Sequence, residues 1–323
     1  SIIYHEGSRY VINKVLLPVE QGPILHRAKQ CEECGYLHPI EGDQPGPNVC
    51  ERCGSQLPAE RRNLFRLQNV STKRRDRISS DEEERLRQGY EIRTGVRFET
   101  RDGKPSPRSA ILVGEHGQVA EMQYGDAATL WRVNLGLRRR KAGEQPGFVL
   151  DMERGFWATK KDEEEDAQEV DELSKKTQRV VPFVEDRRNC LLFIPGRTGS
   201  PKFMPSLQAA LKSAIQVCFQ LEEGELAAEP LPTRNLRHIL LFYESAEGGA
   251  GALRRLLDGP EGWKEVARTA LDICHFDRDT GEDRKRAPHA TEDCDAACYD
   301  CLMSYGNQWD HEDLDRQGIR DFL

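Results

Sequence analysis

Eight of the ten cysteines fall into two tight groups, and these constrain the fold more than any other feature. The first is Cys31-Glu-Glu-Cys34-Gly35 followed by Cys50-Glu-Arg-Cys53-Gly54, with fifteen residues between Cys34 and Cys50. The second is Cys294, Cys298 and Cys301, with nineteen residues between Cys274 and Cys294. Two thiolates separated by two residues wrap one side of a tetrahedral ion, and two such halves close it. The doubled Cys-x-x-Cys is a zinc-ribbon pattern and argues against a redox pair. The expectation is two zinc ions, one on Cys31, Cys34, Cys50 and Cys53, the other on Cys274, Cys294, Cys298 and Cys301. His275 and His289 are possible substitutes at the second site. Four protein ligands leave no open position for water, so both metals are expected to be structural.

This use of cysteine indicates a reducing, cytoplasmic setting rather than a disulfide framework. Cys190 and Cys218 stand alone in apolar segments and read as buried free thiols. No run of residues approaches the roughly 20 apolar positions of a membrane span, so no membrane partner is expected. Ser1 stands where an initiator Met would, and Leu323 closely follows a helical pattern, so a piece of something longer is expected.

The 323 residues exceed one typical domain. Short β-like runs occupy 2–4, 10–12, 90–98, 110–113, 119–124, 129–137 and 148–150, punctuated by Gly, Asp and Pro. Residues 162–172 carry eight acids and no base, which reads as a linker. Beyond it, strand-like and helical patterns alternate. Trp263, Val266, Ala267, Ala270, Leu271 and Cys274 form a clean helical stripe that puts Cys274 on its buried side. Residues 277–288 are polar and expected to be disordered. The fold class is therefore α+β, with a β-rich N-terminal half carrying an inserted zinc ribbon. A C-terminal α/β unit closed by a four-cysteine zinc cluster follows. The boundaries expected are 1–60 for strands with the ribbon and 61–160 for a β-rich accessory domain with a basic start. The acidic linker then covers 161–185 and the α/β zinc-binding domain 186–323.

Phe242-Tyr243-Glu244, Gly248-Gly249-Ala250-Gly251, the second cysteine group and Ser304-Tyr305-Gly306-Asn307-Gln308 together resemble the zinc-binding C-terminal domain of MrfA-type helicases. In that family a four-cysteine domain follows a superfamily-two DNA motor. Domains of this type also occur in the DrmA and DrmB proteins of DISARM anti-phage systems. The stretch from Ile2 through Cys53 to Leu64-Phe65-Arg66 is similar to the segment after the motor in DISARM-type helicases. The resemblance implies the non-catalytic C-terminal region of a DNA helicase or translocase, in anti-phage defence or DNA repair. Its partners would be DNA, the motor of the same parent chain and other defence subunits.

The residues themselves bear on that reading. A motor needs a phosphate loop, and no Gly-x-x-x-x-Gly-Lys-Ser/Thr occurs, so this chain alone is not expected to hydrolyse ATP. The net charge of -8 excludes a uniformly basic coat but not local basic grooves. Two basic clusters are candidates for DNA phosphates: Arg61, Arg62, Arg66, Lys73, Arg74, Arg75 and Arg77, and then Arg138, Arg139, Arg140 and Lys141. Trp131 reads as core or as a stacking platform, and the loop 248–251 as a tight turn or a phosphate cradle. Asn307, Gln308, Asp310 and His311 read as a polar brace for the second zinc site. Two other classes remain open: a protein scaffold of a defence complex without DNA contact, and a metal-dependent nuclease drawing on the acids at 162–172.

Overall fold

The structure is a computed structural model. It describes residues 2–5, 8–17, 25–75, 89–115, 117–140, 143–158, 176–197, 199–246 and 248–323, with the backbone alone for 2–11, 13 and 73–75. The acidic run 162–172, Arg77 and Lys141 lie outside the described residues.

The strands, in chain order, begin with β1 (Ile2–His5), β2 (Ser8–Val15), β3 (Leu25–Gln30), β4 (Leu37–Ile40) and β5 (Arg61–Arg66). Next come β6 (Val70–Arg75), β7 (Tyr90–Arg97), β8 (Thr100–Arg101), β9 (Lys104–Pro105) and β10 (Arg108–Gly114). The last five are β11 (Gly117–Leu137), β12 (Phe148–Asp151), β13 (Thr177–Pro195), β14 (Leu226–Pro232) and β15 (Arg237–Glu244). The helices are α1 (Phe203–Phe219), α2 (Ala252–Arg255) and α3 (Pro260–Ile273), followed by a 3-10 segment, Tyr305–Asp313.

Two long strands form the spine. β11 runs antiparallel to β13 from Ala120↔Pro195 to Val133↔Phe183. The separate runs expected at 119–124 and 129–137 are one strand, interrupted by a register shift between Gly125 and Ala128, where Ala127 takes φ 49°. A bulge lets one strand bend without leaving its ladder. β10 and β7 pair with β11, while β15, β5 and β12 pair with β13; β3, β4 and β14 extend the sheet. β5 joins β13 in parallel, Val181↔Leu64.

β13 starts at Thr177, runs through residues 185 and 186, and pairs with strands from both halves of the chain in one sheet.

The run Cys190-Leu191-Leu192-Phe193 explains how the layers are joined. A strand with both faces covered reads as continuously apolar. Leu191 and Phe193 face the helices, packing with Leu207, Leu211, Trp263 and Val266. Cys190 and Leu192 face the other way, toward Cys31, Cys34, Tyr36 and Cys50. The sheet therefore separates the first cysteine group from a helical layer that carries the second.

Candidate metal centres and nucleic-acid surface

Each half of the first cluster is a Cys-x-x-Cys knuckle closed by glycine. Gly35 and Gly54 sit at φ +73° and +78°, and each donates its N–H to the carbonyl of the first cysteine of its pair at 3.0 Å. A side chain is disfavoured at such φ, which is why glycine follows each knuckle. The Sγ atoms of Cys31 and Cys53 are 3.6 Å apart, and those of Cys34 and Cys50 3.7 Å. Sulfurs about 2.3 Å from a tetrahedral zinc stand about 3.8 Å from one another, so this donor set fits the ion. All four donor atoms lie within 4.8 Å of each other.

The surroundings of this cluster are specific. His38, buried on β4, places Nε2 3.4 Å from the Cys50 sulfur. Its Nδ1 is 3.8 Å from the Glu51 carboxylate, too far for a hydrogen bond. Tyr36 is fully buried and its hydroxyl accepts the Phe98 N–H at 3.2 Å, fastening the ribbon to the main sheet. Burial pushes the Cys31 thiol up to about 11. The contact with Cys34 pulls Cys50 down to about 3, aided by His38, while Cys34 is pushed up. Four clustered thiolates, three of them buried, repel one another unless a cation sits among them, so metal binding here is coupled to proton loss.

The second cluster differs from expectation. The structure gathers His275, Cys294, Cys298 and Cys301, with donor atoms within 4.8 Å of one another. His275 Nε2 lies 3.2 Å from the Cys298 sulfur, Cys294 and Cys301 are 3.8 Å apart, and Cys298 and Cys301 3.6 Å. Cys274 is not in this set, which corrects the four-cysteine expectation. It caps α3 on the buried stripe, and burial pushes its thiol up to about 12. His275 then takes φ +62°, a left-handed turn that leads the chain off the helix and carries the imidazole to the cluster. Three sulfurs and one nitrogen also make a closed structural zinc site. His289 is exposed and pairs instead with Asp300 at 3.3 Å.

Arg316 buttresses this site, and sequence reasoning missed it. Its side chain is 2% exposed. It donates to the carbonyls of Cys294 (2.8 Å) and Cys274 (3.2 Å) and forks onto Asp283 at 2.7 and 3.1 Å. The stretch 277–288, expected to be disordered, is ordered by these and other bonds. Asp277 accepts the N–H groups of Asp279 and Thr280, and Arg284 joins Asp272 and Asp277. Just past the knuckle, Asn307 accepts the Ser304 N–H at 2.7 Å, and His311 Nε2 lies 3.0 Å from both the Ser304 carbonyl and Asn307 Oδ1. Asn307 and His311 thus form a polar brace, while Asp310 pairs with Arg234 and Arg237 and Gln308 is exposed.

The glycine loop is not open to phosphate. Buried Glu244 accepts the N–H groups of Gly251 (3.2 Å) and Leu253 (3.0 Å), so a carboxylate already fills the anion position at the start of α2. Trp131 is core: 4% exposed and stacked on Phe183 at 4.2 Å between centroids.

The described basic candidates lie on separate elements. Arg61 and Arg66 lie in β5, half-buried, with Arg66 3.5 Å from Glu185. Arg62 is exposed and pairs with Glu60, and Arg140 pairs with Glu91 at 2.6 Å. Lys73, Arg74 and Arg75 end β6. Arg138 and Arg139 are exposed, and the Arg138 guanidinium lies 5.6 Å from the Trp309 ring centroid. That contact ties Arg138 to the C-terminal 3-10 segment.

The fold and donor sets define a mixed β-sheet protein with two Cys/His clusters that fit two structural zinc ions. Residues 207–302, which hold all four donors of the second cluster, match the model of the MrfA Zn-binding domain and form an MrfA-type zinc-binding region. Among solved structures, the chain is similar to the crystal structure of the DUF1998 helicase MrfA bound to DNA. The identity is 7% and the TM-score 0.36, over 73% of this chain and 25% of that one. The chain thus spans about a quarter of that helicase's length. No curated protein matches. No helix among the described residues is long and apolar enough to cross a membrane.

Proposed function

We propose that this chain is the non-catalytic C-terminal region of a DNA helicase or translocase, where it braces the motor and contacts DNA phosphates. The observation that carries this is the MrfA-type region at 207–302, with its complete second donor set. The eight donors of the proposed sites are Cys31, Cys34, Cys50 and Cys53, then His275, Cys294, Cys298 and Cys301. The metals hold a thin ribbon and a helix-poor C-terminal segment rigid. Arg138 and Arg139 supply sequence-independent attraction to the backbone. The parent protein acts in anti-phage defence or DNA repair in the cytoplasm, with DNA, its own motor and other defence subunits as partners.

Anisotropy titrations of labelled duplex DNA across a salt series test the reading. Binding should weaken steeply with salt. Arg138→Glu with Arg139→Glu should flatten the slope by about 2, at roughly 0.9 per phosphate contact. A zinc-loaded chain with no affinity at low salt overturns the proposal.

A further inference from the structure

Three of the exposed large apolar side chains are aromatic rings around the second metal centre: Tyr299 (62%), Tyr305 (68%) and Trp309 (53%). Tyr299 and Tyr305 have centroids 5.9 Å apart, and Tyr299 is held edge-on by His311 at 5.6 Å. Tyr305 and Trp309 share the 3-10 segment that the Ser304–Asn307 brace caps. The guanidinium groups of Arg138 and Arg234 both reach the Trp309 ring, 5.6 and 5.9 Å from its centroid. Asp310 beneath pairs with Arg234 and Arg237, and Glu312 and Asp313 are exposed on the same segment.

We infer that this surface binds single-stranded nucleic acid by stacking unpaired bases on Tyr299, Tyr305 and Trp309 while the arginines take the adjoining phosphates. Exposed rings flanked by guanidinium groups match the two halves of a nucleotide, a flat π face and an anion. A protein hot spot would seat such rings within a collar of apolar neighbours that excludes water. Here the exposed neighbours are Gly306, Gln308 and Glu312. The bases of a duplex are already stacked and offer these rings nothing. The inference rests on the DNA-contact reading above and adds which strand state is bound, and by which residues.

Trp131 and Trp263 are buried and Trp157 half-buried, so Trp309 is the exposed reporter among the four tryptophans. An oligothymidylate of about twenty nucleotides should quench its emission and bind about tenfold more tightly than an abasic strand of equal length. Trp309→Leu should abolish the quench, and Tyr305→Ala should weaken oligothymidylate binding about tenfold with zinc content unchanged. Equal binding of the two strands, with both variants unaltered, overturns the stacking surface while leaving phosphate binding intact. Failure to bind either strand or duplex overturns both readings.

Discussion

At the residue scale, the second metal centre is decided by one dihedral angle. Cys274 ends α3 on its buried side, while His275, at φ +62°, turns toward Cys298. His275→Ala should therefore release one zinc ion per chain, and Cys274→Ala should keep both, as read by native mass spectrometry. The reverse result would return Cys274 to the ligand set. Arg316 is the next residue to test. Replacing it with Met strands Asp283 and two carbonyls, and should cost about 3 kcal/mol in denaturant unfolding. The ion pair also carries a pH signature. Arg316 holds the Asp283 carboxyl down to about 2, from 3.8 when unfolded. Its contribution is present above about pH 4 and lost as pH falls through about 2. The stability gap between the wild type and Asp283→Asn should thus close across that window.

At the element scale, β13 shows why a continuous apolar run matters. Leu192 packs toward the first cysteine group and Leu191 toward the helices. Each substitution to Ala should cost about 2–5 kcal/mol, but with different consequences for the metals. Leu192→Ala should speed zinc release from the first site to a colorimetric chelator, and Leu191→Ala should leave that site's rate unchanged. The turn after β15 makes a second case. Gly249 has φ +66°, and an added Cβ would collide with the Glu244 carboxylate. Gly249→Ala should therefore cost about 2 kcal/mol. The Gly-rich loop was legible as a turn, yet its reason was not. Glu244 lies five residues earlier in sequence, and only the strand-to-helix reversal brings its carboxylate onto the N–H groups of α2.

At the scale of the whole molecule, two metal sites hold layers on opposite faces of one sheet. A structural zinc contributes about 10 kcal/mol or more to a small fold, comparable to the entire stability of a domain. Chelation should therefore broaden and lower the thermal transition and take up protons from solution, because the buried thiols return to their protonated form. The two cysteine groups and the alternation of strands were readable in the sequence because they are local. Ligand spacing is set by one turn of chain, and side-chain alternation by the pleat. The choice of His275 over Cys274, the buttress of Arg316 and the order of 277–288 were not readable. Each depends on partners brought together over long separations, as Arg316 with Asp283 and Cys274. Composition identified 277–288 as polar, but polarity cannot say whether its charges meet water or one another. Only the folded chain, by closing the loop from α3 to the C-terminal segment, decides that they meet one another.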